Sequence, residues 1–208
     1  RESLCVPHVY ELPASLEPGK HRLTICVDNT IQYPIGDWSH AITEHTQSNW
    51  NGIIGRIELT ATDPVWIKSV QIYPDIQNKT VRMEVKVGNH SGKSVIGMIQ
   101  VGTISKDTFE KLIHLDHLVL SATETGCSLT LPMGKEPVLW SEFEHTLYEV
   151  QIILNASSDN IRFHDEDQVR FGMREFRVRN ARFTNNGQPV FLRGTLECCI
   201  FPLTGYPA

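Results

Sequence analysis

Short segments in which apolar and polar residues alternate dominate this sequence. The stretch HRLTICVDN places Leu23, Ile25 and Val27 on one side, and TVRMEVKV and LYEVQIIL repeat the pattern. Successive side chains of a β-strand point to opposite faces, so each stretch indicates a strand with one buried face. Pro-Gly, Gly-Asn and Asp-Asn pairs separate the stretches at short intervals. The sequence therefore predicts an all-β fold, an antiparallel sandwich.

One segment, Lys106–Leu120, also fits a helical spacing. Phe109, Leu112 and Ile113 stand at the i, i+3 and i+4 positions of a helix face. The segment has no clear C-cap and lies between predicted strands. We therefore predict a loop followed by a strand here.

The strands group into units along the chain. A Thr, Asp and Pro cluster at Thr60–Val65 marks a boundary, and the preceding residues hold only three or four strands, too few to enclose a sandwich core. Trp66–Val178 has the length and about seven strands of an immunoglobulin-like module. We expect domains at residues 1–62, 63–178 and 179–208.

The last part of the chain predicts a hairpin that leads onward. Val169–Val178 alternates as an extended segment, Asn186-Gly187 is a strong hairpin signal, and Pro189–Leu192 begins a return strand. An apolar run with no predicted partner follows Arg193. We therefore expect this chain to be part of a larger protein.

Composition excludes several classes of function. The 19 basic and 24 acidic residues give a net charge of −5, which predicts no nucleic-acid partner. No apolar run approaches the roughly 20 residues of a membrane span, so we predict no membrane partner. The N-terminus lacks a signal-peptide layout, and the localisation is left open. Five cysteines without CxxC spacing predict neither a disulfide framework nor a zinc site.

Candidate chemical groups are few. Glu142 and Glu144, or the run Asp165–Asp167, could imitate a catalytic carboxylate pair, but they lie beside turn residues in extended segments, and we predict solvated charges. His114 and His117 have no convergent third ligand, so we expect no metal and no cofactor. The vicinal pair at Cys198 and Cys199 is predicted to be buried as small hydrophobes.

Three stretches, in order, resemble glycoside hydrolase family 2, the family of β-galactosidases, β-glucuronidases and β-mannosidases. YELPASLEPGKHRLTICVDN with SNWNGIIGRIEL is similar to the closing strands of the family's jelly-roll sugar-binding domain. EPVLWSEFEHTLYEVQIIL resembles the signature of its immunoglobulin-like middle domain. FGMREFRVRNARFTNNGQPVFLRG resembles the bridge into its (β/α)8 barrel.

The resemblance implies where catalysis takes place. Family members hydrolyse glycosides with two barrel glutamates, one acting as acid/base and one as nucleophile, about 5 Å apart. The chain reaches only the start of the expected barrel, so both glutamates are expected beyond Ala208. The three predicted domains then correspond to the end of the jelly roll, the immunoglobulin-like sandwich and the lead-in to the barrel.

The resemblance also suggests three substrate-binding residues. Asn49 matches a residue in a family loop that approaches the barrel mouth. Alternatively, Asn49 is a turn residue whose side chain only hydrogen-bonds to nearby backbone groups. Trp50 could stack on a sugar or could belong to the core. Arg193 matches the Arg-Gly that starts the barrel.

The chain departs from the galactosidase pattern at two places. After Arg-Gly, galactosidases continue with a Val-Asn-Arg-His-Glu-like stretch, whereas this chain has Thr195-Leu-Glu-Cys-Cys. Ser48 stands near the position of a sugar- or sodium-contacting aspartate in galactosidases.

Three functional hypotheses follow. The leading one is a non-catalytic fragment of a family 2 hydrolase, with a carbohydrate substrate and the barrel as partners. The alternatives are a stand-alone carbohydrate-binding or adhesion module and a structural spacer. An unpaired strand edge could also pair with a second copy of the chain, which leaves a homo-oligomer open.

Overall fold

A computed structural model describes residues 6–12, 16–28, 30, 36–37, 52–53, 55–105 and 108–195, the side chains of residues 104–111 excepted. The chain divides into two units. One comprises Glu58–Gly194, and the other comprises Arg1–Ile57 with Thr195–Ala208. The described part has no helix long and apolar enough to span a membrane.

Seven strands of the larger unit form two sheets. One sheet has the order β1-β2-β5 and the other the order β4-β3-β6-β7, with every neighbouring pair antiparallel. This architecture confirms the predicted all-β sandwich, and β4 confirms the predicted strand in the segment that also fitted a helix. The strands are β1 (Val65–Asp75), β2 (Thr80–Asn89), β3 (Val95–Ser105), β4 (Thr108–Leu120), β5 (Glu124–Pro132), β6 (Tyr148–Ser158) and β7 (Ile161–Phe171).

The core lies between the two sheets and follows the alternation of the sequence. In β2, the four residues Val81, Met83, Val85 and Val87 are at most 1% exposed, whereas Arg82 between them is exposed. Each fully buried aliphatic side chain contributes about 1.5–3 kcal/mol. The other sheet contributes a matching set: Ile99, Val101, Val150, Ile152 and Leu154.

A small third sheet follows the sandwich, and we call it the exit hairpin. It consists of β8 (Phe176–Arg179), β9 (Arg182–Asn185) and β10 (Gln188–Pro189). Asn186 and Gly187 have φ angles of 52° and 80°, which two-residue hairpin turns of type I′ require. The Asn-Gly prediction is therefore confirmed.

Two predicted strands are shorter than the alternation suggested. The segment 169–178 is interrupted after Phe171, because β7 ends there and β8 begins at Phe176. The predicted return strand at 189–192 is reduced to Gln188–Pro189. One more backbone bond, from the Val190 N–H to the Phe183 carbonyl oxygen at 2.9 Å, follows the proline, and no strand is assigned beyond it in the described residues.

The predicted strand around Leu23, Ile25 and Val27 is not assigned. These side chains are 68%, 51% and 47% exposed, and residues 21–28 carry no strand. An extended segment becomes a strand only through hydrogen bonds to a neighbour, and no neighbouring strand pairs with it in the described part of the chain.

Candidate functional site

Only one of the three predicted substrate-binding residues, Arg193, belongs to the described structure. Asn49 and Trp50 lie outside the described residues. Arg193 is exposed, and its guanidinium carbon lies 5.8 Å from the ring centroid of Phe191, which is 80% exposed. The predicted role of Arg193 in substrate binding stays a prediction.

The carboxylates of the WSEFEHT loop are exposed, as predicted. Glu142 and Glu144 both lie outside the strands, and Thr146 Oγ1 donates a hydrogen bond to Glu144 Oε1 at 2.7 Å. Residues 165–167 differ from the prediction, because they lie within β7 and not beside a turn.

Asp165 is a structural acceptor and not simply a solvated charge. Its Oδ2 accepts a hydrogen bond from the backbone N–H of Ile67 at 2.7 Å. In the opposite direction, Asp63 Oδ2 accepts from the backbone N–H of His164 at 2.7 Å. Since β1 and β7 are edge strands of different sheets, these two bonds join the sheets at one side of the sandwich. Such bonds also satisfy edge N–H groups that have no ladder partner.

Backbone and side-chain contacts connect the sandwich to the exit hairpin at one junction. Its centre is the backbone of Trp140, in the loop between β5 and β6. Trp140 N–H donates to the carbonyl oxygen of Met173 at 2.9 Å, beside an isolated parallel bridge between Leu139 and Met173. The Trp140 carbonyl oxygen accepts from Asn186 Nδ2 at 2.9 Å. One residue thus contacts both the end of the sandwich and the turn of the hairpin.

Asn186 completes this connection. Its Oδ1 accepts from the backbone N–H of Glu175 at 3.0 Å, and its own N–H donates to the Glu175 carbonyl at 2.8 Å. Asparagine is one of the few residues that tolerate the left-handed φ of this turn position while supplying both an amide donor and an acceptor.

The Trp140 ring is held from two sides. The guanidinium carbon of Arg174 lies 4.9 Å from its ring centroid, and the His145 ring is 5.9 Å away. Gly172 lies beneath the side chain, where an added Cβ would be 2.8 Å from Trp140 Cβ and 3.0 Å from Cγ. Only glycine allows the backbone to approach this closely.

A tyrosine anchors the loop that carries Trp140. The Tyr148 hydroxyl accepts from the Val138 N–H at 2.7 Å and lies 3.3 Å from the Val138 carbonyl oxygen. Its ring stacks on Phe171 with centroids 5.8 Å apart. The loop is therefore tied to the last residue of β7, immediately before the chain leaves the sandwich.

A cleft of about 380 Å³ lies where β8 passes the ends of β1 and β2. In it the Arg82 guanidinium carbon is 4.3 Å from the Tyr73 ring centroid, and Arg177 pairs with Glu175 at 2.9 Å. Hydrogen bonds from the backbone and side chain of Asn78 are the main cause that lowers the pKa of Asp75 below its ordinary value. Arg82 also pairs with Glu84, and Asp75 accepts from Asn78, so each of these charged groups already has a partner.

The junction positions the chain, and it contains no catalytic arrangement. Within the described part of the chain, no three His, Cys, Asp or Glu side chains are placed to hold a metal ion. The interactions instead fix the direction in which the exit hairpin leaves the sandwich.

Sequence reasoning missed the structural roles of Asp63, Asp165 and Asn89. Asn89 stood in a predicted turn, but it is 1% exposed, and its Nδ2 donates to the carbonyl oxygens of Lys93 and Ser121 at 2.8 Å each. The sequence offered one signal for the role of Asn89, because this polar residue stands just after the alternating stretch TVRMEVKV. No local signal marks Asp63 or Asp165, since their partners lie about a hundred positions away.

The described fold is that of a β-sandwich domain coupled to a following hairpin. Residues 65–174 match the protein family described as "Glycosyl hydrolases family 2". Since this match covers more than half of the 208 residues, the chain belongs to glycosyl hydrolases family 2, and the resemblance seen in the sequence is confirmed.

Curated relatives agree with this assignment. The chain is 21% identical over 210 residues to a β-galactosidase of Leuconostoc mesenteroides, covering 97% of this chain and 19% of the relative. It is 25% identical over 190 residues to a β-galactosidase of Thermoanaerobacterium thermosulfurigenes, covering 88% of this chain and 25% of the relative. The chain thus spans about a fifth to a quarter of the curated relatives it matches.

A solved structure is similar as well. A GH2 β-galacturonidase from Eisenbergiella tayi bound to glycerol matches 62% of this chain and 21% of its own, with 23% identity and a TM-score of 0.47.

Proposed function

We propose that this chain is a non-catalytic part of a retaining O-glycoside hydrolase that acts on a β-glycoside. The observation that carries the proposal is the junction at Trp140, within a chain that belongs to glycosyl hydrolases family 2. The role of this chain is to support and orient a catalytic domain, and that domain supplies both catalytic glutamates.

The exit hairpin is the mechanical link in this proposal. The Trp140 N–H bonds to the Met173 carbonyl oxygen, just before the hairpin. The Asn186 side chain in the hairpin turn bonds to both Trp140 and Glu175, and the Asn186 N–H bonds to the Glu175 carbonyl oxygen. Apolar side chains on the hairpin and just after it are exposed: Val178 is 65%, Phe191 80% and Leu192 60% exposed. We propose that a (β/α)8 barrel is the partner that covers these side chains, and that it binds the carbohydrate substrate. Asn49, Trp50 and Arg193 are proposed to extend from this chain toward that substrate.

Hydrolysis of a panel of aryl β-glycosides tests the proposal. The 208-residue chain is assayed beside a version extended through the following several hundred residues of its gene. We expect hydrolysis only by the extended protein, and the preferred aryl sugar then identifies the substrate class.

Either of two results would contradict the proposal. Activity of the 208-residue chain alone would place the catalytic carboxylates within it. Inactivity of both proteins would favour the binding-module or spacer hypothesis.

A variant of the extended protein tests the orienting role of the junction. Asn186→Ala should lower kcat/KM without changing the position of the catalytic glutamates, and this result would support that role.

A further inference from the structure

A second cleft, of about 420 Å³, lies on the outer face of the four-stranded sheet. Its lining includes Met98 of β3, Asn155 and Ser157 of β6, and Arg162 of β7. Met98 pairs with Asn155, and Ser157 pairs with Arg162, in the sheet register. The neighbouring positions in β6 point into the core, so these side chains lie on the face away from it.

An irregularity in β4 shapes one wall of this cleft. The register passes from Gly97 opposite Leu118 to Ile99 opposite Leu115, so two residues, Asp116 and His117, lie opposite Met98 alone. This is a β-bulge, a feature that often redirects side chains beside binding sites.

The bulge carries backbone strain. His117 has a φ of 55°, in the left-handed region that non-glycine residues seldom adopt. Such a conformation persists only where the surrounding structure enforces it. Here it leaves both Asp116 and His117 exposed on the cleft wall.

The cleft has unused hydrogen-bonding capacity. Within the described part of the chain, the Arg162 guanidinium, the His117 ring and the Ser157 hydroxyl have no recorded hydrogen bond or ion pair. Asn155 uses its Oδ1 to accept from His164 Nδ1 at 3.0 Å, which leaves its two amide N–H donors. Asp116 Oδ2 lies 3.0 Å from His114 Nε2, which leaves the second oxygen.

These groups define the chemistry of a ligand. A guanidinium without a partner binds a carboxylate through two parallel hydrogen bonds. Asparagine donors, a serine hydroxyl and a carboxylate acceptor suit vicinal hydroxyl groups, while Met98 and the 49% exposed Ile96 offer apolar contact to C–H groups. A volume of about 420 Å³ lies within the range of small-molecule sites.

We propose that this cleft is a non-catalytic binding site for an acidic saccharide, with the sugar carboxylate on Arg162 and its hydroxyl groups on Asn155 and Asp116. The site is separate from the junction at Trp140 and does not depend on the function proposed above.

The test is a titration of the isotope-labelled 208-residue chain with digalacturonic acid and, in parallel, with neutral galactobiose, followed by two-dimensional NMR. We expect digalacturonic acid to shift the amide signals of residues 96–98, 116–117, 155–157 and 162, and to bind at least tenfold more tightly than galactobiose. Arg162→Gln should weaken digalacturonic acid binding at least tenfold. Arg179→Gln, at an exposed arginine of β8, serves as the matched control and should change affinity less than twofold.

A second variant separates binding from folding. His117→Gly relieves the strained φ and removes from the cleft wall a ring with unused hydrogen-bonding capacity, so it should preserve or raise the unfolding temperature while weakening digalacturonic acid binding. Absence of binding, shifts that map elsewhere, or an Arg162→Gln protein that binds like the unchanged chain would each overturn the proposal. Equal affinity for both disaccharides would overturn the assignment of an acidic ligand.

Discussion

The side-chain amide of Asn186 donates to the carbonyl oxygen of Trp140 at 2.9 Å, joining residues that are 46 positions apart. This bond connects the turn of the exit hairpin to the loop that follows β5. The two motifs that resemble separate parts of the family therefore meet at one place, since the tryptophan belongs to one and the asparagine to the other. Their shared role is structural.

Replacing Asn186 tests that junction. Asn186→Ala removes a donor to Trp140 and an acceptor for Glu175, and it places a Cβ-bearing residue without a compensating side chain at a φ of 52°. We expect a loss of about 2–3 kcal/mol in the free energy of unfolding, measured by urea denaturation. Asn186→Gly keeps the backbone conformation accessible and loses only the side-chain bonds, so it should cost less. Equal stability of Asn186→Ala and the unchanged chain would contradict this account.

The close approach at Gly172 gives a second prediction. In Gly172→Ala the new methyl group would lie 2.8 Å from Trp140 Cβ, so the loop or the strand end must shift. We expect a destabilisation of about 1–3 kcal/mol, seen as a lower Tm. Gly126→Ala is the control, because a Cβ at that glycine of β5 has no heavy atom within 4 Å. A similar Tm change for both variants would remove the steric explanation.

The carboxylate bonds between the sheets can be tested by truncation. Asp165→Ala leaves the N–H of Ile67, a residue only 9% exposed, without its acceptor. We expect a loss of about 1–3 kcal/mol in the free energy of unfolding and faster amide exchange at Ile67. Glu166→Ala, at the adjacent and exposed position of the same strand, should leave exchange at Ile67 unchanged. Protection of Ile67 that survives Asp165→Ala would refute the assignment.

Acid should weaken the β1–β2 turn through Asp75. Hydrogen bonds from the Asn78 backbone and side chain lower the pKa of Asp75 below its ordinary 3.8. A lowered pKa in the folded state means that the stabilisation is complete above the ordinary pKa and is lost as the pH falls through the folded value. Asp75→Asn cannot ionise, so the stability difference between it and the unchanged chain should shrink from pH 6 to pH 3. A difference that is constant over this range would exclude the linkage, and Glu136→Gln provides an exposed control.

Thiol reactivity should separate two cysteines of the described chain. Burial raises the pKa of the Cys127 thiol, and its Sγ lies 3.7 Å from the Val85 carbonyl oxygen. Cys26 is exposed. Since the thiolate is the reactive form, we expect Cys127 to react more slowly than Cys26 with a disulfide reagent at pH 8, in variants that retain only one cysteine. Equal rates would show that Cys127 is accessible in solution.

The alternation of apolar and polar residues predicted most strands of the sandwich. This pattern can be read from a few neighbouring residues, and it forms here because each sheet buries one of its two faces. The Asn186-Gly187 turn could also be predicted from the sequence, since its conformation depends on two adjacent residues. The same reasoning overextended the segment 169–178, where Gly172 breaks the strand to make room for Trp140. Alternation alone could not show that interruption, because its cause lies 32 positions earlier in the chain.

The site residues depended on information that a strand pattern does not contain. Asp165 looked like a solvated charge, because nothing in its neighbourhood reveals that the edge of β1 lies beside it. The bulge at His117 is similarly set by the pairing of β3 with β4. Which strands become edges, and which edges meet, is decided by the packing of the two sheets.

The bond between Asp63 and His164 has a mechanical consequence. Asp63 precedes β1, so tension that enters the sandwich through residue 60 reaches this carboxylate before it reaches any hydrogen bond of the β1–β2 ladder. The load then passes directly to β7 in the other sheet. Pulling β1 away from the domain at this end therefore requires the bond between Asp63 and His164 to break before the first bonds of the ladder do.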